Sequence, residues 1–222
     1  LEYMPEALKT AEVCLAAVKM DGTALEYVPE SLKTWEVCFA AVKADGRSIE
    51  HVPEELMTPE ICLAAIRQEG RALKFVPKQL RTPELCLAAV TSDQKSIYYN
   101  SSVLGYVPEE LRTADICLAA VQENGLALMD VPWNLMTREL CLAAVLANGR
   151  ALKHVPYIDD RQAFFWDPFN ESEATITPEE FCLAAVKTAG WALEFVPENM
   201  MTSALCLAAV TSDGSLEYVP EM

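Results

Sequence analysis

One stretch constrains the fold more than any other. Thr-Pro-Glu-Leu-Cys-Leu-Ala-Ala-Val, at residues 82–90, occurs in eight lightly edited copies. Its cysteines stand at Cys14, Cys38, Cys62, Cys86, Cys117, Cys141, Cys182 and Cys206, and the commonest step between them is 24 residues. Self-similarity at a fixed period of this size is the signature of a stacked repeat architecture, in which each unit buries its apolar face against its neighbours. The expected organisation is a single array over residues 1–222, because repeats of this kind join into one elongated body.

Residues 58–77 give the pattern of one copy. Thr58 suits a helix N-cap, since its hydroxyl can accept a bond from a free amide of the first turn. Pro59 follows at the first helical position, where its missing N–H costs nothing, and Glu60 sets a negative charge beside the positive end of the helix dipole. Ile61-Cys62-Leu63-Ala64-Ala65-Ile66 continue a helix of about three turns. It is apolar nearly all round, which predicts burial on several sides. Gly70 is expected to close it as a left-handed C-terminal residue. Beyond it, Ala72, Leu73 and Val76 recur at helical spacing until Pro77 forbids continuation. The return therefore reads as one short helical turn, a stop at Val-Pro, and a second turn of the tighter 3₁₀ type. The fold class is an all-α solenoid of about eight 24-residue repeats, each a three-turn helix plus a short helical or 3₁₀ return.

The columns hold along the chain. Gly22, Gly46, Gly70, Gly125, Gly149, Gly190 and Gly214 share the cap position, and Gln94 alone departs from it. The residue before each Val-Pro is mostly aromatic, and His51 and His154 take its place twice. This pattern resembles a family of short tandem repeats catalogued as a domain of unknown function, whose core combines the Cys-Leu-Ala-Ala segment with Gly-x-Ala-Leu and Val-Pro. The resemblance implies a helical repeat array and transfers no catalytic residue. The 24-residue period is also similar to that of leucine-rich repeat variants, which alternate an α-helix with a 3₁₀ turn.

Two breaks stand out against this regularity. From Cys86 to Cys117 the step is 31, and from Cys141 to Cys182 it is 41. The added segments fall at about 93–104 and 157–175. The first carries Tyr98 and Tyr99; the second carries Phe164, Phe165, Trp166 and Phe169, four aromatics in six positions. Insertions in repeat proteins map to loops on one face, often the binding face, and aromatics are enriched among interface anchors. These six residues are the candidate partner-binding set, with folding back over apolar groove surface as the competing use of the second cluster. The extra residue before Cys182 creates Thr177-Pro178-Glu179-Glu180, which can form a capping box.

Charge narrows the partner. Seventeen basic residues stand against 33 acidic ones, a net charge of −16. That field repels a polyanion such as DNA and favours basic protein surfaces. No apolar run is long enough to span a bilayer. The first five residues match the middle of a repeat and the last seven stop at the same phase, so the chain reads as a fragment of a longer array.

Chemistry finds little purchase. Stacked helices about 8–10 Å apart hold same-column cysteines beyond the roughly 7 Å limit for a disulfide. No Cys-x-x-Cys pair starts a zinc site. The cysteines read as small buried apolar residues suited to a reducing intracellular compartment. The histidines substitute within an aromatic ladder, and the glutamates follow helix starts. The expectation is no enzyme active site, no metal and no cofactor in this segment. The function read from the sequence is a protein–protein interaction scaffold or adaptor. Two alternatives stay open: a permanent structural subunit of a large multiprotein assembly, and a docking arm for an enzyme whose catalytic domain lies outside the segment.

Overall fold

The computed structural model describes residues 1–92, 102–156 and 177–213, and the third copy shows the steps of a complete repeat. In the third copy the Thr58 hydroxyl accepts the Ile61 amide at 3.4 Å, and the α-helix runs Pro59–Gln68 with proline in its first turn. Glu69, in extended conformation, ends it while its amide still reaches the Ala65 carbonyl at 3.0 Å. A 3₁₀ helix then spans Gly70–Phe75. Val76 is extended at φ −72° and ψ 126°, the conformation imposed on a residue preceding proline. Pro77 lacks the amide a helix would need, so the chain restarts as a second 3₁₀ turn at Lys78–Leu80 and reaches the next threonine.

Among the described residues the α-helices are α1 (Ala11–Met20), α2 (Trp35–Ala44), α3 (Pro59–Gln68), α4 (Pro83–Thr91), α5 (Ala114–Glu123), α6 (Arg138–Ala147), α7 (Pro178–Thr188) and α8 (Ser203–Asp213). The fold is an all-α repeat stack, as the period predicts. The chain divides into two compact units, Leu1–Lys95 with Val103–Arg112, and Ser96–Ser102 with Thr113–Met222. In the first, α1 to α4 pack in sequence as one layer and the 3₁₀ returns as a second. In the second unit α5 to α8 repeat that arrangement.

The core lies between the layers. In α3 it takes Ile61, Cys62, Ala65 and Ile66, and in the return Leu73 and Val76, all essentially without solvent exposure. A fully buried leucine of this kind stabilises by about 1.5–3 kcal/mol. Val103 and Leu104, at the end of the first added segment, are equally buried and take the places that Ala72 and Leu73 hold one copy earlier. Arg81 then clasps the two returns of this unit. Its Nε and Nη2 donate to the Val76 and Lys74 carbonyls at 2.8 and 3.2 Å, and its Nη1 to the Tyr106 carbonyl at 2.6 Å.

The glycine column needs a different explanation from the expected one. None of the described column glycines has a positive φ; each begins the 3₁₀ return, and the residue before it is the extended helix cap. Glycine is required by close approach instead. A Cβ at Gly46 would lie 2.7 Å from the Ala65 carbonyl oxygen of the next helix, and one at Gly149 2.8 Å from the Ala185 oxygen. Gly22, Gly70, Gly125 and Gly190 meet the carbonyl of the corresponding alanine in the same way.

A second column escaped the sequence reading. Asp21, Asp45, Asn124 and Asn148 precede these glycines and cap the 3₁₀ return, each accepting the amide two residues on at 2.9–3.1 Å. Ala189 cannot do so, and there Asp213 of the following helix accepts the Trp191 amide at 3.3 Å. The capping box at α7 forms as expected, with Glu180 accepting the Thr177 amide at 2.5 Å and donating its own amide to the Thr177 hydroxyl at 3.3 Å.

Candidate interaction surface

Helical geometry decides which residues of each copy reach the surface. Successive residues turn by 100°, so the residue after each cysteine lies to the side of the face that the cysteine buries, at the margin of the outer face. That residue is Leu15, Phe39, Leu63, Leu87, Leu118, Leu142, Leu183 or Leu207. The first three, with Leu142 and Leu183, are half-buried, whereas Leu87, Leu118 and Leu207 are 42%, 39% and 65% exposed. The helices are thus buried on several sides, as their apolar composition predicts, but not on the side of this residue. Each presents an apolar residue that stays half-buried or exposed.

Two shallow grooves follow this column. Between α1 and α2 the walls are Lys19, Glu36, Phe39, Ala40, Lys43 and Ala44. Here Trp35 and Phe39, one turn apart, stack with ring centroids at 4.7 Å and planes 14° apart, and Lys43 Nζ lies 5.6 Å from the Phe39 centroid. The Trp35 indole N–H donates to the Thr58 hydroxyl at 3.4 Å, fixing the ring toward α3. Between α6 and α7 the groove is more apolar, lined by Leu142, Leu146, Leu183 and Ala184 with Glu180, Lys187 and Thr188 at its margins. Leu146 is 56% exposed in a column that holds lysine or arginine in α1, α2, α3 and α7.

Charge is distributed differently over the two units. In the first, the acid column Glu12, Glu36, Glu60 and Glu84 borders the apolar residues on one side, and Lys19, Lys43 and Arg67 border them on the other, all exposed. In the second, the acid column continues as Asp115, Glu139 and Glu180, but the opposite column reads Gln122, Leu146, Lys187 and Thr211. The return layer of the first unit is acidic through Glu2, Glu6, Glu26, Glu30, Glu50, Glu54 and Glu55. Lys9 and Lys33 are held there against Glu6 and Glu30 at 2.7 and 2.6 Å.

The thiols are placed for packing. The eight cysteines are free, and all but the partly exposed Cys206 are buried. Burial pushes Cys38 and Cys62 up to about 11 and Cys141 and Cys182 up to about 12, because a thiolate would lose its hydration there. A nucleophilic cysteine needs the opposite shift. His154 is half-buried in the aromatic ladder, and burial, followed by the nearby Lys153 charge, lowers its pKa. No helix among the described residues is long and apolar enough to cross a membrane. Among the same residues no three His, Cys, Asp or Glu side chains gather as a metal site.

Tyr98, Tyr99, Phe164, Phe165, Trp166 and Phe169 lie outside the described residues. The surface that the structure does present was signalled by one clue, an invariant large apolar residue beside every cysteine. No curated protein and no solved structure matches the chain. Residues 10–57, and again residues 34–81 displaced by one 24-residue period, match the model of a family described as a domain of unknown function (DUF4116). Each match spans two of the helix-and-return copies, so residues 10–81 carry overlapping tandem units of that repeat family.

Proposed function

We propose that this chain is a non-enzymatic scaffold for protein–protein interaction, and that the outer face of α5 to α8 is a docking surface. One observation carries the reading: a large apolar residue is kept at the same outward position in every helix, although it is only partly buried. Contiguous exposed apolar surface on a folded domain marks an interaction site. The partner chemistry follows from the flank. With an acid column on one side and a single cation, Lys187, on the other, the face of the second unit suits an apolar segment carrying basic residues. The groove lined by Leu142, Leu146 and Leu183 is the natural seat for its anchor. The aromatic insertion, Phe164 to Phe169, would add a second contact from the connection between α6 and α7.

The test compares capture of proteins from lysate by the native chain with capture by a Leu118→Ser, Leu146→Ser, Leu207→Ser variant. A second variant has its four insertion aromatics replaced by serine. Loss of captured partners in the first variant, with its circular dichroism and melting midpoint retained, supports the face as anchor. Undiminished capture by that variant overturns it.

A further inference from the structure

The charge banding of the first unit has a property that the second lacks. An apolar band of Leu15, Phe39 and Leu63 runs across α1, α2 and α3, between an acidic band (Glu12, Glu36, Glu60) and a basic band (Lys19, Lys43, Arg67). The acidic residue sits about 4.5 Å along the helix axis before the apolar one, and the basic residue about 6 Å beyond it, so the bands are close to symmetric about the apolar line. Rotating such a face by half a turn about that line exchanges its flanks. A copy laid face to face on this axis therefore sets each acidic band against the other copy's basic band, and apolar band against apolar band.

We propose that the outer face of α1 to α3 is an isologous dimer interface whose occupant is a second copy of this chain. Such an interface uses one patch twice, so it must be self-complementary. Three further features agree. The fold does not demand the basic band, since α5 and α6 close equally well with Gln122 and Leu146 at the same position. None of Lys19, Lys43 and Arg67 is paired with a carboxylate among the described residues, and each of the three is exposed. The stacked Trp35 and Phe39 supply the kind of aromatic anchor that carries binding energy at such interfaces. The net charge of −16 opposes self-association over long distances, but at physiological salt that repulsion is screened beyond about 8 Å, while pairs in contact persist.

Charge swapping tests this directly in the full chain, with mass measured by light scattering and sedimentation at 0.15 M salt. The native chain is expected to dimerise with rising concentration. A Lys19→Glu, Lys43→Glu, Arg67→Glu variant, and separately a Glu12→Lys, Glu36→Lys, Glu60→Lys variant, should each be monomeric at concentrations where the native chain is dimeric. Mixing the two should restore a 1:1 heterodimer, which misfolded variants could not form. A native chain that stays monomeric to millimolar concentration overturns the proposal, as does a dimer indifferent to either triple reversal. Neither result touches the docking role of α5 to α8, which is read by partner capture and not by the mass of the chain.

Discussion

The two units share a core and differ at the surface. In α1 to α3 the outward apolar residues lie between opposite charges, Glu36 and Lys43 being the pair around Phe39. In α6 the same frame reads Glu139, Leu142 and Leu146, with no cation beyond the apolar residue. Beneath both, Cys and Ala close the same layer and glycine meets the same carbonyl. The comparison teaches that the position after each cysteine is held by the repeat itself. The position four further on is free to set what that face prefers.

The largest effect is expected where the units are alike. Gly46→Ala and Gly149→Ala should each cost about 1–3 kcal/mol, because the new Cβ would overpack against a backbone oxygen that cannot move independently of its helix. Asparagine separates this from a left-handed cap. Asn tolerates a positive φ, so at a cap Gly46→Asn would be cheaper than Gly46→Ala. Close approach makes it at least as costly, and chemical denaturation of both variants decides.

The thiol columns come next. Cys62→Ser and Cys141→Ser should destabilise by about 1–3 kcal/mol by burying a hydroxyl without a partner. Their pH dependence distinguishes the units. An unfolded cysteine titrates near 8.5, whereas the native thiols keep their proton to about 11 for Cys62 and about 12 for Cys141. The native state then binds more protons, so this contribution is complete below the unfolded pKa and falls as pH rises. For Cys62 the loss should be finished near pH 11, and for Cys141 it should continue toward 12. Denaturation midpoints of Cys62→Ala and Cys141→Ala, taken against the native chain across that range, measure each share. A difference that does not change with pH would mean that the thiol is not buried.

A smaller effect of opposite sign belongs to Ser48. Its hydroxyl is buried without a hydrogen-bond partner, in the column where Ala72, Ala127 and Ala151 stand. Ser48→Ala should stabilise by up to about 1 kcal/mol, and an unchanged or lowered melting midpoint would count against an unsatisfied hydroxyl.

The smallest stability change, within about 0.5 kcal/mol, is expected for Leu146→Lys, since Lys43 already occupies this position in α2. This substitution gives the second unit the flank of the first. It should weaken capture of a basic partner while leaving the fold intact, and undiminished capture would show that the flank does not select.

The contrast also marks what the sequence could reveal. Period, caps and proline stops are local rules, so the helix limits, the 3₁₀ returns and the Thr177–Glu180 box were legible residue by residue. Gly70 was not, because its role depends on the Ala89 carbonyl of the following helix, a neighbour that no local pattern displays. The outward column was hidden for a related reason. Ile61-Cys62-Leu63-Ala64 reads as uniformly apolar, and only the packed layer shows that Leu63 lies to the side of the face that Cys62 buries. What sets one face apart from another lay in the residue four positions after that column.

The glycine against its neighbour's carbonyl has a consequence for how such an array changes length. The threonine cap and the Val-Pro stop each lie within one copy. The requirement for glycine instead passes from one copy to the next, in the same form at each of the six described column glycines. A duplicated or deleted copy therefore meets a seat of the same shape on either side, and copy number can drift in whole periods without refitting the core. Where a step exceeds one period, as from Cys141 to Cys182, the added residues follow the return in sequence, and Gly149 still meets the Ala185 carbonyl.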